Sequence, residues 1–220
     1  MQDEPEPESQ KEEHQSYSVY EQAQRYRAAK AVLQDIYALD AEHADAVKAL
    51  EQLWEEGYTV AAHQLGKFYR DDLSTLRDHE KAEEWFRRSA EAGNDFSEYA
   101  LGKLLLTQKR WEEALGWLGK AADHGNQFAR YRLGKIYLAG ESVPKDVAKA
   151  LAYLTASADQ GNQFAQYTLG KLYLLGRDVP PDREQAKEWL IRAAAQGNEY
   201  ARFFLSLIHI SEPTRPISIS

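Results

Sequence analysis

Leu169-Gly170-Lys171 is the last of four identical tripeptides in this chain, and the earlier ones are Leu65-Gly66-Lys67, Leu101-Gly102-Lys103 and Leu133-Gly134-Lys135. The successive spacings are 36, 32 and 36 residues. A second marker, the dipeptide Gly-Asn, recurs in step at Gly93-Asn94, Gly125-Asn126, Gly161-Asn162 and Gly197-Asn198. A period in the thirties is typical of a solenoid, in which each repeat buries its apolar face against its neighbours.

Each repeat contains two helical patterns. In residues 163–174, Ala165, Leu169 and Tyr173 recur at a spacing of four residues and therefore lie on one face of a helix. The second pattern, Ala-x-x-Trp/Tyr-Phe/Leu-x-x-Ser/Ala-Ala-x-x-Gly, appears for example in residues 186–197. Large residues that alternate with small ones suit closely packed helices. We therefore predict an all-α solenoid of antiparallel helix pairs.

Two classes of glycine support this prediction. Those in the Gly-Asn pairs follow the second helix, where a left-handed residue ends a helix without steric strain. Those in Leu-Gly-Lys lie inside the first helix, where glycine costs about 1 kcal/mol relative to alanine. Because that cost recurs at one register, it indicates close approach of a neighbouring helix. We predict that Gly134→Leu destabilises the array more than nearby surface substitutions.

The chain divides into four predicted segments. Residues 1–17 are acidic and poor in apolar side chains, which predicts a disordered segment. Residues 18–57 match the repeat register loosely, as a degenerate N-terminal helix pair or cap. Residues 58–204 form the repeat array, with about four units and a partial one. Residues 205–220 are predicted to be unstructured.

The last of these segments departs from the repeat pattern. Ser206 stands where a glycine is due, and residues 205–215, LSLIHISEPTR, look like a translated sequencing adaptor. The sequence therefore predicts that residues 205–220 are an artefact that follows an incomplete repeat. In that case Trp189 and Leu190 of the preceding helix would be left partly exposed.

The repeats resemble the Sel-one-like repeat (SLR), a relative of the tetratricopeptide repeat with units of about 36 residues. The resemblance covers roughly residues 58–204. It implies a right-handed superhelical solenoid that acts as a scaffold or adaptor for other proteins. The stretch 161–190, GNQFAQYTLGKLYLLGRDVPPDREQAKEWL, also looks like repeats in the C-terminal part of plasmid and transposon mobilization relaxases of gut bacteria.

Composition gives no support to an enzyme. Cysteine is absent, and the six histidines show no metal-binding spacing, so we expect neither a metal site nor a cofactor. No apolar run has the length of a membrane span, which favours a cytoplasmic protein without membrane contact. Of the net charge of −8, residues 1–13 contribute −5. The nearly neutral remainder gives no case for direct nucleic-acid binding.

One set of residues could carry a binding function. Tyr and Lys recur four residues apart on the first helix, which places each pair on one face. These pairs are Tyr99/Lys103, Tyr131/Lys135 and Tyr167/Lys171, and His63/Lys67 continues the series. By analogy with tetratricopeptide arrays, this face would be concave, with Phe128 and Phe164 beside it. Rings next to ammonium groups would suit an acidic peptide or a free carboxylate. The alternative is that the tyrosines only pack between repeats and the lysines are solvated.

The predicted function is therefore a non-catalytic scaffold that binds a protein or peptide partner, possibly acidic, on the concave face. The alternative is an accessory C-terminal fragment of a mobilization relaxase. Such a fragment would contribute to relaxosome assembly and would contact DNA only indirectly or by helping to hold it.

Overall fold

The computed structural model describes residues 18–71 and 78–210, with side chains up to residue 208. Within these ranges all regular structure is helical. The helices are α1 (Val19–Gln34), α2 (Asp40–Glu55), α3 (Val60–Arg70), α4 (His79–Glu91), α5 (Asp95–Thr107), α6 (Trp111–Asp123), α7 (Gln127–Ala139), α8 (Val147–Asp159), α9 (Gln163–Leu175), α10 (Arg183–Ala195) and α11 (Glu199–Ile210). The predicted all-α class is confirmed. Residues 1–17, predicted to be disordered, lie outside the described residues.

The chain divides into two compact units, one ending at Ala82 and the other beginning at Glu83. The first contains α1, α2 and α3, and residues 18–57 supply its first two helices. Leu50, Leu53 and Leu65 are fully buried in it. An ion pair of 2.6 Å between Arg25 Nη1 and Glu56 Oε2 ties α1 to the end of α2.

The second unit is a stack of helix pairs. α5 packs against α6, α7 against α8, and α9 against α10, and each pair also packs against the helix that follows it. The odd-numbered helices from α5 to α11 are the first helices of their repeats, called A helices below. The even-numbered ones from α4 to α10 are the B helices. This arrangement confirms the solenoid of helix pairs.

The Gly-Asn dipeptides form the junctions between repeats. At one junction Gly125 has a φ of +93°, and the backbone N–H groups of Gly125 and Asn126 donate to the carbonyls of Ala122 and Ala121. The Asn126 side chain then accepts hydrogen bonds of 3.0 Å from the N–H groups of Phe128 and Ala129. One residue ends a B helix and the next caps the following A helix.

The glycines inside the A helices lie against leucines of the B helices. A Cβ atom added to Gly134 would stand 2.7 Å from Cγ of Leu154 and 3.2 Å from the carbonyl oxygen of Ala150. Gly102 meets Leu118, and Gly170 meets Leu190, in the same way. All three leucines are fully buried. The close helix approach predicted from the sequence is therefore present in three repeats.

Residues 205–210 differ from the expectation of an unstructured tail, because α11 continues to Ile210. Ile208 is buried and packs in one cluster with Leu190, Ala193 and Ala201. Leu190 is consequently fully buried, not partly exposed as the sequence suggested. The physical reason is that Leu205 and Ile208 extend the apolar face of the helix that begins at Glu199. Residues 211–220 lie outside the described residues.

The connection between α5 and α6 is three residues long, whereas those between α7 and α8 and between α9 and α10 have seven, and it contains a left-handed residue that is not glycine. Lys109 has a φ of +61°, and its N–H donates to the carbonyl of Leu106 as at a helix C-terminus. After α7 and α9 the left-handed residues are glycines, Gly140 and Gly176, and each stands directly after its helix, one position earlier than Lys109 does after α5. The 32-residue repeat therefore ends its A helix with a lysine in a conformation that glycine adopts without strain.

We expect Lys109→Gly to stabilise the protein by about 0.5–1 kcal/mol. Glycine removes the energetic cost of a left-handed lysine, and this gain exceeds the conformational entropy that glycine adds to the unfolded chain. Chemical denaturation measures the difference. Gln108→Gly is the matched control, since Gln108 has a right-handed conformation with a φ of −83°. That control should lose stability, and a loss in both variants would contradict the strain argument.

An ionic cluster fixes the same connection to α4. Arg87 Nη2 lies 2.9 Å from Glu83 Oε1 and 2.6 Å from Glu113 Oε1, while Arg110 Nη1 lies 2.8 Å from Glu83 Oε1. Arg110 also pairs with Glu113. Partial burial raises the pKa of Glu83, but hydrogen bonds from Arg87, Gln108 and Arg110 outweigh it and hold the pKa below its ordinary value. The cluster therefore stabilises the fold at neutral pH and weakens as the pH falls through that lowered pKa.

Candidate protein-interaction surface

The A helices place the three predicted tyrosines of the second unit at equivalent positions. Tyr99, Tyr131 and Tyr167 each stand five residues after the Asn cap of their helix, and each is half-buried. Tyr131, for example, packs against the cluster that contains Leu154 and Leu169. Partial burial raises the pKa of Tyr167, with smaller contributions from Tyr200 and Tyr131, so its phenol is neutral at pH 7.

Each tyrosine also contacts an aromatic ring of the next repeat, two residues after the next Asn cap. The ring centroids lie 6.0 Å apart in Tyr99 and Phe128, 6.2 Å apart in Tyr131 and Phe164, and 6.0 Å apart in Tyr167 and Tyr200. The rings are tilted, which is a favourable geometry for aromatic pairs. The packing role that the sequence left open for the tyrosines is therefore present.

Aromatic residues stand two and five residues after each of the four Asn caps, and the contacts above pair them between neighbouring repeats. This series of eight rings is called the aromatic strip. It consists of Phe96, Tyr99, Phe128, Tyr131, Phe164, Tyr167, Tyr200 and Phe203. The five members outside the tyrosine positions of α5, α7 and α9 are between 40% and 71% exposed. Sequence reasoning placed Phe128 and Phe164 beside the tyrosines but missed Phe96, Tyr200 and Phe203. The signal that could have found them was the recurrence of aromatics two and five residues after each Asn cap.

The lysines of the predicted pairs differ in their surroundings. Lys103 is half-buried, and its Nζ stands 5.5 Å from the centroid of the Tyr99 ring. Lys135 and Lys171 are exposed and line a cavity of about 180 Å³ between α7 and α9. Tyr167 lines the same cavity, so the cavity adjoins the aromatic strip.

The fourth predicted pair, His63 and Lys67, lies on α3 in the first unit. Both side chains are half-buried. Lys67 lines a cavity of about 210 Å³ together with His43, Phe68 and Asp71. The structure therefore places this pair in a separate setting within its own unit, and its part in binding stays a prediction.

The side chains of the described ranges provide no arrangement for metal chemistry. Within residues 18–71 and 78–210, no three His, Cys, Asp or Glu side chains are close enough to hold an ion. In the same ranges, no helix is both long enough and apolar enough to cross a membrane.

A model of the Sel1 repeat matches residues 59–94, 112–126, 127–162 and 163–198, which together are more than half of the chain. The chain belongs to the Sel1 repeat family. Residues 95–111, which include the shortened α5–α6 connection, fall outside the matched ranges. Proteins built from Sel1 and tetratricopeptide-like repeats generally act as non-catalytic scaffolds for protein interaction, and this Sel1 repeat chain has that architecture.

Solved structures agree with this assignment. A Sel1 repeat protein from Oxalobacter formigenes is 31% identical with a TM-score of 0.70, over 82% of this chain and 75% of that one. The uropathogenic Escherichia coli antigen c5321, which displays an SLR fold, has a TM-score of 0.74 at 24% identity. That match covers 88% of this chain and 42% of c5321. The immunity protein Pa5087 of Pseudomonas aeruginosa is 26% identical with a TM-score of 0.56, over 84% and 70% of the two chains.

A search of curated protein sequences gave no significant match. The resemblance to mobilization relaxases gains no support from the matches described above, whereas the resemblance to SLR proteins is confirmed.

Proposed function

We propose that this Sel1 repeat protein is an interaction scaffold that binds a segment of a partner protein along its aromatic strip. The observation that carries the proposal is that rings on the A helices of neighbouring repeats contact each other at equivalent positions. The second ring of each pair is at least 40% exposed, so the same aromatic surface recurs in successive repeats. Contiguous exposed apolar surface on a soluble protein marks interaction sites. Aromatic side chains also contribute most to binding energy where a partner covers them.

The packing of the tyrosines supports this role. Because each is held between its own helix and a ring of the next repeat, it loses little conformational freedom on binding. Preorganised rings increase affinity by lowering that entropic cost. The strip thus consists of half-buried tyrosines that fix its geometry and more exposed rings that offer contact area.

A peptide-display selection on the purified protein tests the proposal. Peptides selected on the original protein should bind Phe128→Ser/Phe164→Ser more than roughly tenfold more weakly, because two exposed rings are lost. The matched control is Val60→Ser/Ile191→Ser, which removes two exposed apolar side chains outside the strip. Circular dichroism confirms that both variants are folded. Equal weakening by the two variants, or no enrichment of any peptide, would contradict the proposal.

The alternative, an accessory fragment of a relaxase that helps to hold DNA, makes a different prediction. Rings that alternate with cations can also bind single-stranded nucleic acid, and such binding weakens steeply as salt is raised. The net charge of −8 opposes it. A labelled single-stranded oligonucleotide, titrated at 50 and 200 mM salt, separates the two functions.

A further inference from the structure

The cavity between α7 and α9 has an apolar interior. Leu138 of α7 and Leu172 and Leu175 of α9 contribute to its lining, together with Tyr167 of the aromatic strip. Its volume of about 180 Å³ is below the 300–1,000 Å³ that is typical of small-molecule sites, and corresponds to roughly six water molecules. That size suits one side chain of a partner.

The polar part of the lining is cationic. Lys135, Lys171 and Arg177 line the cavity, and among the described residues none of the three has a carboxylate partner. The only acid in the lining, Asp178, is paired with Lys145. Three positive charges around one apolar cavity are therefore left without compensation, although the chain as a whole is acidic.

A comparison with the preceding repeat shows that this charge is local. An equivalent groove of about 380 Å³ is lined by Leu106, Arg132, Lys135 and Ile136. In that groove Glu141 stands at the position that Arg177 occupies one repeat later. Lys135 lines both spaces, but the groove also contains the carboxylate of Glu141, whereas the one acid in the lining of the α7–α9 cavity is paired with Lys145.

We propose that the α7–α9 cavity binds an acidic peptide segment of the partner, with one aliphatic side chain in the cavity and flanking carboxylates on Lys135, Lys171 and Arg177. The inference rests on the proposed function, since Tyr167 belongs both to the cavity and to the aromatic strip. Charge complementarity selects the acidic segment, and the apolar lining selects the aliphatic side chain.

Fluorescence anisotropy with defined peptides tests the site. The probe is a labelled 12-residue peptide with one leucine flanked by four glutamates. One counterpart has glutamines instead of the glutamates, and another has serine instead of leucine. The original protein should bind the glutamate peptide roughly tenfold more tightly than either counterpart. The preference over the glutamine peptide should shrink when salt is raised to 500 mM.

Lys135→Gln/Lys171→Gln removes two of the three cations, so it should abolish most of the preference for glutamate and leave the binding of the glutamine peptide unchanged. The matched control is Lys120→Gln/Lys149→Gln, which has the same net charge and replaces two exposed lysines of the B helices α6 and α8. It should retain the preference. All four lysines are exposed, and thermal melts verify that both variants remain folded.

The outcomes separate the two proposals. If the glutamate and glutamine peptides bind equally while Phe128→Ser/Phe164→Ser weakens both, the cavity assignment is overturned and the scaffold function stands. Equal loss of the preference in the control variant also overturns the assignment, because it shows a general charge effect. A single-stranded oligonucleotide is also added as a competitor. If it displaces the glutamate peptide, and if Lys135→Gln/Lys171→Gln abolishes its binding, the ligand of the cavity is a nucleic acid and the peptide proposal is overturned. If none of the three probe peptides binds while display-selected peptides still bind the aromatic strip, the cavity assignment is overturned and the scaffold function stands; if display also enriches no peptide, both proposals fail.

Discussion

Gly134→Leu is expected to lower the stability of the protein by about 3 kcal/mol and the thermal midpoint by roughly 10 °C. The leucine side chain would begin with a Cβ atom 2.7 Å from Cγ of Leu154, which is fully buried. The carbonyl oxygen of Ala150 stands 3.2 Å from the same Cβ, so backbone as well as side chain must shift. The higher helix propensity of leucine offsets about 1 kcal/mol of this cost.

Gly116→Leu is the control for this prediction. Gly116 lies inside α6, and a Cβ atom there meets no atom within 4 Å. The control should therefore gain up to about 1 kcal/mol from helix propensity. Adding Leu154→Ala to Gly134→Leu should recover part of the loss, since the two side chains compete for one space. Equal midpoints for the two glycine variants would show that the A and B helices are not in contact at Gly134.

Ile208→Ala is expected to cost about 2–4 kcal/mol, because Ile208 is 3% exposed and packs with Leu190, Ala193 and Ala201. The residue lies in the segment whose sequence predicts no structure. Its backbone carbonyl also accepts a hydrogen bond of 2.8 Å from Arg183 Nη2, which joins α11 to the start of α10. Stability in a repeat array is largely local, so the loss should appear first as faster amide exchange in α10 and α11.

Leu207→Ala is the adjacent control, since the Leu207 side chain is 44% exposed. It should cost less than about 1 kcal/mol. If both variants match the original protein in thermal melting and amide exchange, residues 205–210 contribute nothing to the fold. The expectation of an unstructured segment would then be correct for residues 205–210.

The candidate site was only partly predictable. Tyr99/Lys103 and the two pairs that follow could be placed on one helix face because a spacing of four residues is a property of a single helix. The contact between Tyr131 and Phe164, which are 33 residues apart in sequence, depends instead on the offset between α7 and α9. Helical periodicity carries no information about that offset. The uncompensated charge around the α7–α9 cavity could not be predicted for the same reason. Asp178 is the sequence neighbour of Arg177, but in the structure it pairs with Lys145 of the preceding repeat.

By itself, the sequence determined the repeat and the roles within it. In Leu133-Gly134-Lys135 the leucine is buried, the glycine admits a B helix and the lysine is exposed, while the Gly-Asn pairs end one helix and cap the next. These are local properties of a helix and its ends, so a recurring pattern is enough to reveal them. The tertiary structure alone decided which aromatic rings meet between repeats, that α11 extends over residues 205–210, and which cations remain unpaired. Those features arise from side chains brought together by packing between helices, and packing depends on distances that no single helix encodes.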